Sequence, residues 1–307
     1  MSSRLTDPGT TTTVAGVRLT HAERLLYPAP PFTKLDLARY YERIADWIVP
    51  HVAGRPLTLV WCPTGITGPC SFLKHSKRWA PAPLRRVHIQ EKTKLGEYLI
   101  ADDVPGLVGL VQMGVVEIHT WNSTFTNLER PNRIVIDLDP GDAVSPTQVI
   151  AAARVVRSVL GALDLESFVK TTGGRGLHVV VPLVPQAAWS ECLAFARHLS
   201  VALHRADPDS FTTSFARRGR TSRILLDYLR NNRTNTSIAA FSPRARPGAP
   251  VSIPIAWDEL RPGWGSPAIN RVTSRIRRLR SDPWEGYWSC RQKLTAARLR
   301  AVQRIQP

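Results

Sequence analysis

Three aspartates carry the first chemical signal. Asp137 and Asp139 close the run Arg133-Ile134-Val135-Ile136-Asp137-Leu138-Asp139-Pro140, apolar up to the first acid and followed by a Pro-Gly turn signal. That pattern predicts a buried strand ending at a surface. Alternate residues of a strand share a face, with Cα atoms about 7 Å apart. Both carboxylates therefore project together while Ile136 and Leu138 enter the core. Two hard oxygen donors at a rigid strand end suit Mg²⁺ or Mn²⁺. Asp227 lies inside another apolar run, Leu225-Leu226-Asp227-Tyr228, where an unpaired carboxylate is costly. Its position makes sense if it joins the other two acids around metal. The plain alternatives are solvated acids at a strand end and an arginine partner for Asp227.

A second signal is the stretch from Lys170 to His178, with glycines at 173, 174 and 176. Such a run brings backbone close to a ligand and turns successive N–H groups into an anion-binding nest. Thr172 adds a hydroxyl, Arg175 a planar fork matched to phosphate oxygens, and His178 follows on the next strand. The stretch leads into a strand, so it is neither a Walker loop nor a dinucleotide fingerprint. A glycine hairpin with an exposed arginine is the plain alternative. Arg244 and Arg246 form a basic turn with Ser242 and Pro243, and His119 stands in Glu117-Ile118-His119-Thr120-Trp121-Asn122. A lone histidine is more often structural. Together, however, these parts suit nucleotidyl transfer. Three carboxylates can hold two metals about 4 Å apart, one activating a 3′-hydroxyl and one steadying pyrophosphate. The nest with its Arg and His side chains can hold a triphosphate in line.

The elements that must position these groups follow from periodicity. Thr33 caps a predicted helix from Lys34 to Val49, with Leu37, Tyr40, Tyr41, Ile44 and Ile48 inward and Pro50 helping to end it. Thr20 and Glu23 form a candidate capping box before it. Strands are predicted at 55–61, 115–119, 133–139, 168–170, 177–181, 224–228 and 237–241. Helices are predicted through 107–113, 146–163 and 188–206, then two basic helices from Ile269 separated by Asp282-Pro283-Trp284. Residues 71–77 read as a short basic segment, 85–94 as a surface loop or hairpin, and 211–223 as a basic loop. Residues 1–16 are small and polar and are expected to be disordered. Strands and helices alternate without a strict βαβ rhythm, so the class is α/β or α+β with a mixed sheet.

Composition narrows the partners. Among 307 residues, 41 Lys plus Arg oppose 24 Asp plus Glu, a net charge of +17. That excess favours a polyanion, since each phosphate neutralised releases counterions. No lipidation motif, basic amphipathic anchor or signal peptide is present, and the apolar stretch 107–116 is too short to span a bilayer. A membrane partner is not expected. Cys62, Cys70, Cys192 and Cys290 offer no C-x-x-C pair, so zinc is not expected and a reduced cytoplasm is.

The order of the motifs adds a resemblance. Asp137–Gly141, Thr171–Val179, Asp227–Asn232 and Phe241–Ser252 together resemble the polymerase domain of bacterial ligase D, in the archaeo-eukaryotic primase superfamily. The similarity runs from about Leu19 to Leu294. It implies a single primase-polymerase domain at 17–307, with an N-terminal DNA-binding lobe (about 17–125), a catalytic lobe with an RNA-recognition-like sheet (about 126–260) and basic C-terminal helices (about 265–307). It implies that Asp137, Asp139 and Asp227 bind two catalytic Mn²⁺ or Mg²⁺ ions. His119, Thr172, Gly173, Arg175, His178 and Arg244 would hold the incoming nucleotide. Arg24 and Lys34 match positions that grip the 5′-phosphate beyond a gap, Phe72 (before Lys74) matches an aromatic that stacks on the template, and Arg220 matches a basic loop position near DNA.

The resemblance further implies a bacterial cytoplasmic, nucleoid-associated enzyme acting on gapped or broken duplex DNA with NTP or dNTP. Such enzymes fill short gaps and extend ends, often prefer ribonucleotides, and work beside a DNA ligase and an end-binding protein. The sequence departs from the family's usual Ser at Thr172, Lys at Arg175, Arg at Val60-Trp61, and paired aromatics at Ser71-Phe72. Trp61 is thus a candidate for stacking where a charge contact is usual. No ligase or nuclease module accompanies the domain, which fits a stand-alone gap-filling polymerase or an excised domain. The rival readings are a de novo primase, a non-catalytic DNA-end-binding module and a metal-dependent phosphoesterase. The Arg24/Lys34 pair disfavours the first, the retained acids the second, and Arg244 with the nest the third.

Overall fold

The computed structural model describes residues 12–216 and 218–305. Two short hairpins open it: β1 (Thr12–Val14) with β2 (Val17–Leu19), and β3 (Leu25–Pro28) with β4 (Pro31–Thr33). The first lies partly inside the stretch expected to be disordered; Val14, Val17 and Leu19 give it a buried face. Residues 1–11 lie outside the described residues. Where Thr20 and Glu23 suggested a capping box there is no helix, because Thr20 hydrogen-bonds the Gln112 side chain instead.

Thr33 does cap α1 (Lys34–Arg43), in a reciprocal box with Asp36. The predicted single helix is two: the chain breaks at Ile44 and resumes as α2 (Ala45–Val52), which runs through Pro50 rather than ending there. Pro50 sits near the end of a short helix, so only one backbone bond is lost. Next come β5 (Leu57–Trp61) and β6 (Ser71–Leu73), then the hairpin of β7 (Arg85–Gln90) and β8 (Leu95–Ile100). Helix α3 (Val104–Met113) has an Asp103 cap and stops at left-handed Gly114 before β9 (Val115–Thr120).

The second half holds β10 (Arg133–Pro140), α4 (Pro146–Ala162), β11 (Phe168–Thr171), β12 (Leu177–Pro182) and α5 (Trp189–Ala206). It continues through β13 (Phe211–Thr212), β14 (Ile224–Asp227), β15 (Ser237–Ile238) and β16 (Pro254–Ile255) to α6 (Ile269–Arg278) and α7 (Ala296–Gln303).

Two sheets organise these elements. One runs β13-β14-β10-β12-β11-β16, the other β15-β9-β5-β6. Only β13 and β14 pair in parallel within the larger sheet, so it is mixed as expected. The smaller sheet borrows β15 from the second half of the chain, which fastens it to the larger one. Apolar residues of both halves merge into one main core. Among the described residues, no helix is long and apolar enough to cross a membrane.

One thiol expectation fails. The β5–β6 turn brings Cys62 and Cys70 to a Cα separation of 4.4 Å, and they are joined as a disulfide, while Cys192 and Cys290 are free. Seven intervening residues, with Gly65 and Gly68 among them, suffice to close the pair, a proximity that a search for C-x-x-C misses.

β10 is the central strand, and a buried side chain completes its edge. β14 pairs with β10 only from Asp137 onward. Before that point Asn231 takes over: its amide oxygen accepts from Val135 N–H at 2.8 Å and its amide nitrogen donates to Val135 C=O at 2.7 Å. Asn231→Ala leaves two buried backbone groups unpaired, each worth about 1–3 kcal/mol. We expect a stability loss of about 2–4 kcal/mol, read as a lower urea midpoint with unchanged slope.

Candidate active site

Register brings the acids together. Asp137 on β10 faces Asp227 on β14 directly, and His178 on β12 from the other side, while Asp139 stands one step further along. Asp137 and Asp227 are buried and Asp139 is exposed. Burial pushes Asp137 up, but His178 (3.4 Å) and Arg230 (3.0 Å) outweigh it and hold the carboxyl well below its usual range. Asp227 is shifted the other way, raised first by burial and further by the charges of Asp137 and Asp139 against the pull of Arg230.

Guanidinium groups neutralise all three acids. Arg230 Nε bridges Asp137 and Asp227, 3.0 Å from each, and Arg220 lies 2.5 Å from Asp139. Among the described residues, no three His, Cys, Asp or Glu side chains converge closely enough to hold a metal as they stand. The donor set nonetheless fits a divalent cation. It consists of hard carboxylate oxygens that repel one another and are neutralised here by guanidinium groups, Arg230 being 40% exposed.

Across a cleft of about 610 Å³, the acids face the groups predicted to hold a nucleotide. Thr172, Arg175, His178, His119 and Arg244 all line it, together with Arg220, Arg230 and Arg246. Asp227 lies behind this lining. Gly173 lies at its edge, and its role is spatial: a Cβ there would sit 2.5 Å from Arg244 Cγ, and its φ of +70° is left-handed. Gly173 thus lets Arg244 cross the turn and donate to Thr172 C=O at 2.9 Å. Arg175 reaches back to the Asp142 and Val144 carbonyls at 3.1 and 2.7 Å. His178 is buried with Nδ1 unpartnered; burial, then the Lys170 charge, lowers it to about 4.

Sequence reading missed Glu117. This buried carboxylate contacts His119 Nε2 at 2.8 Å, Arg244 Nε at 3.0 Å and the Ala245 N–H at 2.7 Å. Burial raises it, but His119, Arg244 and that N–H prevail and hold it at about 2. Burial, against Glu117, keeps His119 below its usual value. The available signal was the i, i+2 spacing of Glu117 and His119 on one strand, which places both on one face. Arg246 was visible in the basic turn but had no assigned role; its guanidinium lies over Gly174.

The remaining predicted positions are spread out. Phe72 is 73% exposed, with its ring 6.2 Å from that of His119 at the cleft mouth. Lys74 is tied to Glu91 of the β7–β8 turn at 3.0 Å. Arg24 and Lys34 form a separate site beyond β5: Arg24 donates to Pro63 C=O, and Lys34 donates to Thr20 C=O, Gln112 C=O and Gln112 Oε1. Trp61, suggested as a stacking group at the nucleotide edge, does not line the cleft; its indole N–H donates to Met113 C=O.

The mixed sheet that opposes these carboxylates and arginines has the archaeo-eukaryotic primase fold. Comparison with known proteins agrees. A family described as "LigD, primase-polymerase domain" matches residues 33–284, and the chain belongs to it. The chain is 38% identical over 293 residues to the multifunctional non-homologous end joining protein LigD of Pseudomonas aeruginosa, covering 94% of this chain and 35% of that protein. It is 36% identical over 246 residues to the Mycolicibacterium smegmatis protein of the same name, covering 80% and 32%. The chain thus spans about a third of the length of these relatives. Among solved structures, the polymerase domain from Mycobacterium tuberculosis ligase D in complex with DNA matches with a TM-score of 0.84 and 31% identity, covering 89% of this chain and 98% of that one.

The Glu117 clamp yields a test. Glu117→Gln removes the charge that aligns His119 and Arg244 while keeping the volume. Nucleotide affinity should fall by about tenfold, roughly 1–2 kcal/mol for charged hydrogen bonds, in a fluorescent-nucleotide titration, with the thermal melt monitored to confirm folding.

Proposed function

We propose that this domain is a DNA-directed nucleotidyltransferase that fills short gaps and extends broken ends in DNA repair. The observation that carries it is the single cleft where Asp137 and Asp139, backed by Asp227, face Thr172, Arg175 and Arg244 around the glycine turn. Asp137, Asp139 and Asp227 would hold a pair of divalent ions, Mg²⁺ or Mn²⁺. Such ions neutralise charge on an attacking 3′-hydroxyl and a leaving pyrophosphate.

The chain's own residues do the rest. Arg244, aligned by Glu117, and Arg175 clamp phosphate oxygens, with N–H groups of the glycine turn and the Thr172 hydroxyl beside them. His119 and exposed Phe72 offer ring faces to the base and template at the cleft mouth. Arg220 and Lys74 meet the DNA backbone. Arg24 and Lys34 take the downstream 5′-phosphate. The domain would accept ribonucleotides in preference to deoxyribonucleotides, act at the nucleoid, and hand its product to a DNA ligase with an end-binding protein nearby. The N-terminal part supplies DNA contacts and the second half the chemistry.

The test is extension of a labelled primer across a short gap with Mn²⁺, comparing both sugar types. The wild type should add nucleotides, more readily with a downstream 5′-phosphate. Asp137→Ala/Asp139→Ala should add none while still binding DNA. Tight binding without addition by the wild type would leave a non-catalytic end-binding module.

A pH dependence follows from Lys34. Burial, then the neighbouring Arg24 charge, lowers its ammonium to about 8. A lysine lowered in this way is charged below that value and neutral above it. The gain in affinity from a 5′-phosphate should therefore shrink as pH rises from about 7 to about 9. Affinity measured on gaps with and without the phosphate checks this, and a constant ratio would remove Lys34 from the grip.

A further inference from the structure

Trp79 is 52% exposed, an unusual placement for so large an apolar side chain. It follows exposed Lys77 and Arg78 and rests on Trp61, with ring centroids 6.0 Å apart and planes 42° apart. Trp61 is oriented by its indole N–H, which donates to Met113 C=O at 2.6 Å. The backing ring is thus anchored while the outer ring stands open to solvent.

The surroundings say what the open ring meets. Trp61 and Lys34 are anchored on consecutive carbonyls at the end of α3, Met113 and Gln112. Gly114 packs between Trp61 Nε1 and Pro63, whose carbonyl receives Arg24 at 2.6 Å. Trp61, on which Trp79 rests, is therefore linked to the Arg24/Lys34 pair through residues 63 and 112–114, Lys34 itself being buried. An open aromatic face close along the surface to a cation pair suits a nucleotide, whose phosphate takes the charge and whose base takes the ring.

We propose that Trp79, supported by Trp61, is the stacking platform for the 5′-terminal base of the downstream strand. This rests on the reading that Arg24 and Lys34 hold that strand's 5′-phosphate. The platform makes gap recognition depend on the terminal base as well as its phosphate. It also gives Trp61 a role away from the nucleotide cleft.

The experiment measures binding of the full chain to three gapped duplexes. One carries a 5′-phosphate and an intact terminal base, one the phosphate on an abasic terminal residue, and one the base without phosphate. Trp79→Ala should weaken binding to the first by roughly 5- to 100-fold, and Trp79→Phe should recover most of that. The abasic end should weaken the wild type by a similar factor and Trp79→Ala no further. Primer extension with no downstream strand should be unchanged in Trp79→Ala. Wild-type affinity in Trp79→Ala, or an equal loss on the abasic duplex, overturns the proposal. Loss of the phosphate effect in the wild type would instead overturn the Arg24/Lys34 reading, and the base-dependent comparison would still decide the platform.

Discussion

The constraint on which the site depends is electrostatic. Antiparallel register sets Asp137 directly against Asp227, with Asp139 one step further out. Two like charges at such separation, partly out of water, repel strongly. The fold keeps them together with guanidinium groups, Arg230 across the first pair and Arg220 on the third, while the His178 imidazole lies 3.4 Å behind Asp137. The acids are thus held in place, and the guanidinium groups that hold them line the cleft.

The opposite wall solves the mirror problem. Arg244 and His119 line the cleft and need a counter-charge on the side away from it. Buried Glu117 supplies that charge from behind. Its third contact, the Ala245 N–H, fixes the backbone that carries Arg244. One carboxylate therefore aligns a strand of the smaller sheet with the turn after β15, and Gly173 provides the space for Arg244 to cross.

The three acids, the glycine turn and the basic turn were legible because their types and local spacing determine their chemistry. Nearly every strand that carries them was legible too, since runs such as 133–139 and 177–181 leave few alternatives. What escaped depends on pairing across the sheet. The sequence suggested that Asp227 joins the other two acids, but nothing near it indicates that Asp137 stands directly opposite, or that Arg230 is the arginine that spans both. The split of the first helix at Ile44 and the hairpin at 12–19 were missed because tertiary burial, not local propensity, decides them. The closeness of Cys62 and Cys70 likewise exists only once β5 and β6 fold back on each other. Glu117 looked like an ordinary strand residue until its partner at 244, far along the chain, came into contact.

A last feature shows why the two sheets act as one site. Lys170 is buried on β11, its Nζ donating to Ile238 C=O at 2.9 Å and Ser252 Oγ at 2.7 Å. Burial, then the charge of Arg133, lowers its pKa well below the usual lysine value, while Asp137 pulls the other way. The Ile238 carbonyl belongs to β15, the strand lent to the smaller sheet, and Ser252 belongs to the segment returning to the larger one. Ser252 Oγ passes the link on to Thr171 C=O at 2.6 Å, beside the glycine turn. Burying such an amine costs free energy, which its hydrogen bonds offset. Here it ties the smaller sheet, the return segment and the base of the glycine turn to a single point. The spacing between the acid wall and the arginine wall is therefore set by the core, and the loops that line the cleft need only carry side chains.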